Sequence, residues 1–448
     1  MADRRLALPP LLVAALVATS CGPDEPRPAD CDGSQVIVSF HRQLHVPRLE
    51  RLGRFDRRRL VGSLRDEATS SQGRALAVLR RHGVEPSVRL WAVNALVVCA
   101  SPDALADLAA LPEVESIRPD LELARPRPPP PSVASVSSLH APRWNLELIG
   151  APALWAEGHT GEGVLVAGLD TGVDPLHPAL AGSFRGPGGW YDPYGQRPTP
   201  ADADGHGTQT MGLMAGSRGI GVAPGARWMA ARIYDDAGKA SLSAIHQALQ
   251  WVLDPDGDPQ TDDLPDVVNG SWGFDELAGK CFLEFEPDLA ALRAAGTAVV
   301  FSAGNSGPGA ASSTSPANNP SALAVGGIDQ ASALQQSSSR GPGPCGAAPF
   351  PTLVAPGVDV RTTDRTFGGL VPDSYALVSG TSFAAPHVAG AMALLRGARP
   401  DATAGEVEQA LTDTAVDLGS AGADSGFGYG RIDLVAARAR LDELIAGR

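Results

Sequence analysis

Nowhere does the sequence hold an apolar run of the roughly 20 residues that a membrane-spanning helix needs. Positive charge is in short supply as well. Lys and Arg number 36 against 50 Asp and Glu, a formal net charge of −14. A nucleic-acid partner needs a basic surface to meet phosphate, so that class is set aside. Internal repeats are lacking too. What remains is a chain that is 43% hydrophobic with 51 glycines, a composition that suits a globular, loop-rich protein rather than a disordered or fibrous one. Its 448 residues exceed one ordinary domain and point to two folded units plus linkers.

The first residues have the layout of an export signal. Arg4 and Arg5 precede an apolar run from Leu6 to Val17, too short to span a membrane, which gives way to small residues. The stretch Ala18-Thr19-Ser20-Cys21 resembles a bacterial lipobox, with Ala18 where leucine or valine is usual. It implies lipidation of Cys21, the alternative being plain secretion with cleavage nearby. Five cysteines are present, and setting Cys21 aside leaves Cys31, Cys99, Cys281 and Cys345. An even remainder in an exported chain suggests disulfides. Of the three possible pairings, Cys31–Cys99 with Cys281–Cys345 keeps each bond within one expected domain. The alternative is that some stay as free buried thiols. The expected location is outside a bacterial cell, lipid-anchored at the outer membrane or released.

Residues 1–20 are thus expected to form the signal and 21–30 a polar tether. Residues 31–125 show a strand at Gln35–Phe40, a helix near Leu64–Arg81, and strands at Val88–Trp91 and Ala95–Cys99. A helix at Pro102–Leu111 and a strand at Val114–Ile117 follow. This β-α-β-β-α-β order is that of a small ferredoxin-like α+β sandwich. Residues 126–140 begin Pro-Arg-Pro-Pro-Pro-Pro, which cannot join a helix and forms an extended spacer open to cleavage. From 141 to 436 short apolar runs such as Val164–Leu169, Val267-Val268 and Ala298–Ala303 alternate with helical stretches at Ser243–Val252 and Pro287–Ala295. Such alternation predicts an α/β fold with a mostly parallel sheet between helical layers. Residues 437–448 are expected to be the end of a C-terminal helix. Catalytic groups in such folds gather at the carboxyl ends of the strands.

Four residues stand where chemistry is expected. Asp170 directly follows the run ending Gly168-Leu169, where a carboxylate can orient an imidazole, though a turn or cap role is the plain alternative. His206 lies between Gly205 and Gly207, which let backbones approach closely and leave the ring an open face. Ser382, in Ser379-Gly380-Thr381-Ser382-Phe383-Ala384-Ala385-Pro386-His387, opens an apolar helix whose free amides favour developing negative charge. A serine there is more often a simple cap. Asn305, in Gly304-Asn305-Ser306, follows a strand and can donate to an oxyanion, although Asn-Ser-Gly is also an ordinary turn.

Together, Asp170-Thr171-Gly172, His206-Gly207-Thr208, Gly304-Asn305-Ser306 and Gly380-Thr381-Ser382 resemble the subtilisin family of serine proteases, in its order of Asp, His and Ser. Pro265-Asp266-Val267-Val268-Asn269-Gly270-Ser271-Trp272-Gly273 and Ser315-Pro316-Ala317-Asn318-Asn319-Pro320 bring the pattern nearest the bacillopeptidase F group. The resemblance implies a three-layer αβα catalytic domain behind an inhibitory pro-domain, with Asp170, His206 and Ser382 as triad and Asn305 in the oxyanion hole. Ser271, Trp272, Gly273 and Gly304 would bind an extended substrate backbone. It implies protein or peptide substrates, the pro-domain as intramolecular inhibitor, membrane attachment only through lipid, and a monomer. No cofactor is required. Calcium is put in doubt by Ala179, which stands where several members place an aspartate that Asp174 alone does not replace, and no metal ligand is assigned. Gln209 stands where the family commonly has histidine. An α/β-hydrolase esterase fails on motif and order, since that class needs Gly-x-Ser-x-Gly and the sequence Ser, Asp, His. A catalytically silent binding protein with a protease fold is the alternative reading.

Overall fold

A computed structural model describes residues 35–43, 57–124, 132–133, 143–346 and 349–448. The expected signal, tether, Cys21, Cys31 and most of the linker lie outside these residues.

The N-terminal unit follows the expected order. Its elements are β1 (Val36–Phe40), α1 (Arg57–Arg81), β2 (Val88–Leu90), β3 (Ala95–Val98), α2 (Pro102–Ala109) and β4 (Val114–Pro119). The strands form an antiparallel sheet in the order β2-β3-β1-β4. Helix α1 runs back to Arg57, earlier than the sequence pattern implied, because buried Leu60, Val61 and Leu64 extend its apolar face. Pro102 starts α2 without cost, since a first-turn amide has no partner to lose, and Ser101 caps it.

Two short strands leave this unit. Glu122–Ala124 (β5) pairs antiparallel with Lys239–Ser241, and Ser132–Val133 (β6) with Tyr375–Val378. The expected linker is therefore not wholly a spacer: past the prolines, residues with amide hydrogens can join a sheet.

The second unit contains α3 (Trp144–Leu148), α4 (Ala151–Ala156), β7 (Leu165–Asp170), β8 (Trp190–Tyr191), α5 (His206–Ala215), β9 (Arg227–Arg232), β10 (Lys239–Ser241) and α6 (Leu242–Leu253). It continues through β11 (Val267–Gly270), α7 (Glu286–Ala295), β12 (Ala298–Ser302), β13 (Leu323–Ile328), β14 (Leu353–Pro356), β15 (Val360–Thr363) and β16 (Tyr375–Val378). Helices α8 (Thr381–Ala398), α9 (Ala404–Asp413) and α10 (Leu434–Ala446) close it. Seven strands in the order β14-β13-β12-β11-β7-β9-β8 form a sheet in which every neighbouring pair is parallel. Alternation along the strands builds the layers. Val300 of β12 faces the core of α5 and α8, while Val299 and Phe301 face that of α6 and α7. Helix α10 crosses the expected boundary at residue 436, since buried Leu434, Ala437 and Leu441 belong to the same core as α8.

The two units share a core. Ile37, Leu60, Leu64, Leu90 and Val97 pack in one cluster with Leu242, Ile245 and Leu249 of α6. Polar groups fix the register. Asp120 accepts hydrogen bonds from the Ser243 amide and hydroxyl at the start of α6, at 2.9 and 2.5 Å, and Gln250 Oε1 accepts from the Ala92 amide at 3.0 Å. Arg118 pairs with Glu284, whose carboxylate lies 2.9 Å from buried His246. Burial alone would lower the His246 pKa, but Asp288 and Glu284 hold it up at about 9.

Cys281 and Cys345 are joined, as expected, with Cα atoms 5.0 Å apart and a sequence separation of 64. Cys31, expected to pair with Cys99, lies outside the described residues. A loop of this length restricts the unfolded chain by about 2–4 kcal/mol. Replacing both cysteines by serine in an inactive Ser382→Ala background should therefore lower the melting temperature by roughly 3–5 °C. An unchanged midpoint would show that the crosslink adds no stability.

Candidate active site

Asp170 is the last residue of the central strand β7, between β9 and β11. The strand buries its apolar residues on both faces, so its final carboxylate is held in a dry, fixed position. His206 opens α5, and its Nδ1–H donates to Asp170 Oδ1 at 2.7 Å. Each side chain is only 4% exposed. The Thr171 amide donates to the same oxygen at 2.8 Å, while Oδ2 is buried with no hydrogen-bond partner among the described residues. With its proton committed to Asp170, the neutral ring has Nε2 as its basic nitrogen.

Asp202 holds this arrangement together. Its Oδ1 accepts from Thr171 Oγ1 at 2.9 Å, the Asp204 amide at 3.0 Å and the Gly205 amide at 2.8 Å. Its Oδ2 accepts from the Thr208 amide at 2.9 Å and hydroxyl at 2.7 Å. Burial raises the Asp202 pKa above the ordinary carboxylate value against these bonds. The turn after Asp170 and the first turn of α5 thus share one carboxylate. Gly207 lets them touch: a Cβ there would lie 2.0 Å from the Gly172 carbonyl oxygen and 3.1 Å from Asp170 Cβ.

Ser382 is the second residue of α8. Pro386, one turn on, has no amide hydrogen to give the Ser382 carbonyl. Ser271 Oγ donates to that carbonyl instead, at 2.7 Å, and Ser382 Oγ donates to the Ser271 carbonyl at 3.2 Å. The proline therefore ties the start of the serine helix to the end of β11. Among the described residues no hydrogen bond joins Ser382 Oγ to His206, whose ring stacks at a tilt on Phe383 with centroids 5.4 Å apart. His387 is buried, and burial pushes its pKa down to about 4. Its neutral ring donates from Nδ1 to the Phe383 carbonyl at 2.7 Å and accepts from Asn145 Nδ2 at 2.8 Å.

Asn305 follows β12. Its Oδ1 accepts from the Thr381 amide at 3.0 Å and hydroxyl at 3.1 Å. Two donors on one atom identify it as the oxygen and leave Nδ2 with its hydrogens to donate. Gly304, at φ 103°, makes the preceding bend in a conformation that side chains rarely adopt. The arrangement brings together a buried Asp–His pair, a serine at a helix N-terminus and an oriented amide. These are the parts of nucleophilic acyl transfer.

The expected substrate residues differ in placement. Ser271 follows β11 and is hydrogen-bonded to Ser382, Gly273 lies against Thr314 and Ser315, and the Trp272 ring is buried against Phe274, Phe285 and Phe301. Its side chain packs and leaves only its backbone for an edge. Gln209 donates to Asp364 at 3.2 Å. Buried Ala179 offers a methyl, and Asp174 is taken by the Leu176 amide and by the Thr366 amide and hydroxyl. Sequence reasoning passed over Asp202 and counted Thr171, Thr208 and Thr381 in the motifs without giving them a role. The signal for Asp202 lay four residues before His206, in Asp202-Ala203-Asp204-Gly205-His206.

The profile of the subtilase family matches residues 161–430. Bacillopeptidase F of Bacillus subtilis (strain 168) is 33% identical over 413 residues, an alignment that covers 84% of this chain and 28% of that protein. Subtilisin Savinase of Lederbergia lenta is 35% identical over 298 residues, 66% of this chain and 97% of that protein. An alkaline protease of Alkalihalobacillus alcalophilus is 35% identical over 298 residues, 66% of this chain and 69% of that protein. The family profile spans the strand that ends at Asp170, the helix that His206 opens and the helix that carries Ser382. The chain belongs to the subtilase family, as a subtilisin-like serine protease near the bacillopeptidase F group.

Proposed function

We propose that this chain is an exported serine endopeptidase made as a self-processing precursor. The observation that carries the reading is the buried 2.7 Å bond from His206 to Asp170 beside a serine at the start of α8. In this mechanism Ser382 Oγ leaves the Ser271 carbonyl when substrate binds and attacks the scissile carbonyl. His206 Nε2 takes its proton and later gives it to the leaving amine, and Asp170 holds the tautomer and stabilises the imidazolium. Water then releases the acyl group by the same steps in reverse. Asn305 Nδ2 and the Ser382 amide receive the oxyanion. The substrate backbone lies along Ser271, Gly273 and Gly304. No organic cofactor takes part.

Residues 31 to about 125 act as inhibitor in this reading. Supporting it, β5 occupies the exposed edge of β10 as an antiparallel strand, the mode by which an extended peptide adds to a sheet. The proposal extends to export, lipid on Cys21, a Cys31–Cys99 bond and a monomeric enzyme. Intact-mass analysis of the exported precursor, before and after reduction, reads the lipid and the bond.

Two outcomes test the core of it. Full-length Ser382→Ala should stay at precursor length while the wild type converts to a form starting between residues 119 and 145. Equal trimming of both would assign the cut to another protease. Asn305→Leu should lower kcat by roughly 10²–10³ with KM nearly unchanged, because the amide acts mainly in the transition state. An unaltered kcat would remove Asn305 from the oxyanion site.

A further inference from the structure

The loop after α6 begins Asp254-Pro255-Asp256-Gly257-Asp258 and ends Asp262-Asp263. The side chains of Asp254 and Asp263 are 0% and 3% exposed. Carboxylates are almost never so buried unless paired. Here the pairing cations come chiefly from the other unit. Arg57, the first residue of α1, donates from Nη2 to Asp254 Oδ1 at 2.9 Å and lies 2.7 Å from Asp263 Oδ1. Its Nε donates to the Leu253 carbonyl at 2.8 Å and its Nη1 to the Thr261 carbonyl at 2.7 Å. The first of these carbonyls ends α6, where the helix dipole favours a cation. Arg65, on the same face of α1, pairs with the second oxygen of Asp254 and stacks over Trp91 at 4.8 Å. The catalytic unit's own Arg185 reaches Asp263 Oδ2 only at 3.7 Å.

We infer that the Asp254–Asp263 notch is an exosite for the pro-segment, built to hold Arg57 and Arg65 and to keep the pro-segment bound after the linker is cut. The inference rests on the reading of residues 31–125 as a pro-segment released by self-cleavage. The notch lies at the far end of α6 from the β10 edge, about 18 Å along a helix of 12 residues. Cutting the chain beyond β5 therefore leaves this contact untouched. All three nitrogens of the Arg57 guanidinium find acceptors in fixed directions, which a lysine could not match. Withdrawing the arginines strips two buried carboxylates of their main partners. The cost of such a loss appears chiefly as faster dissociation.

The test follows two clocks in the full-length protein: chain scission on a gel and the appearance of activity toward a chromogenic peptide. In the wild type, activity should lag behind scission, and the lag should shorten as salt rises. Arg57→Gln with Arg65→Gln should leave scission in place, remove most of the salt dependence and shorten the lag by about thirtyfold. Asp254→Asn is read beside it, since it disturbs the notch while leaving α1 intact. Rates are normalised to each variant's final activity, so a smaller folded fraction does not imitate the effect. An unchanged lag in both variants would overturn the exosite. A wild type that never cuts itself would instead contradict the self-processing reading on which it rests.

Discussion

Asp170 and His206 meet 2.7 Å apart with almost no solvent around either, and that burial governs what surrounds them. Removing charged groups from water costs several kcal/mol each unless hydrogen bonds repay it in a fixed geometry. The sheet supplies the fixed point, since β7 is bonded on both sides and ends at the carboxylate. Asp202 supplies the hydrogen bonds that lock the opposing turn, and the missing Cβ of Gly207 supplies the approach. A side chain larger than hydrogen at residue 207 would separate the imidazole from its carboxylate. The helix carrying Ser382 is placed by a different device: Pro386 frees a carbonyl that Ser271 captures.

The N-terminal unit is joined to this machinery by more than a covalent link. Its apolar face joins a core built mostly by the catalytic unit, and its arginines meet carboxylates on the loop between α6 and β11 and at Glu284, just before α7. Apolar area gives such a contact its strength, whereas the ion pairs fix where the helix may sit. In the proposed cycle this surface delays the activity of the catalytic unit after the linker is cut.

Much of this was legible in the sequence, for identifiable reasons. Strand–helix alternation reveals a parallel sheet because both faces of each strand are buried. The serine motif stood out because each of its residues answers a local demand: Thr381 orients Asn305, Ser382 opens the helix, and Pro386 breaks it one turn in. Other features depended on partners distant in sequence. Arg57 meets Asp254 across 197 residues, and neither neighbourhood signals the other. Helix α1 extends further than its sequence pattern implies because its start is arginine-rich, and Arg57 there is held by the other unit while Arg58 and Arg59 stay exposed. The family resemblance implies a substrate edge at Trp272, while its ring belongs to the core. Side-chain direction is decided by packing, which the motif alone does not specify.

The central claim is that His206, held by Asp170, makes Ser382 a nucleophile. Labelling the processed protein with a fluorophosphonate and mapping the modified peptide by mass spectrometry tests that claim directly. The account predicts one label, on Ser382, and its near-complete loss in His206→Ala. Label on another serine, or equal labelling of Ser382 in His206→Ala, would contradict it.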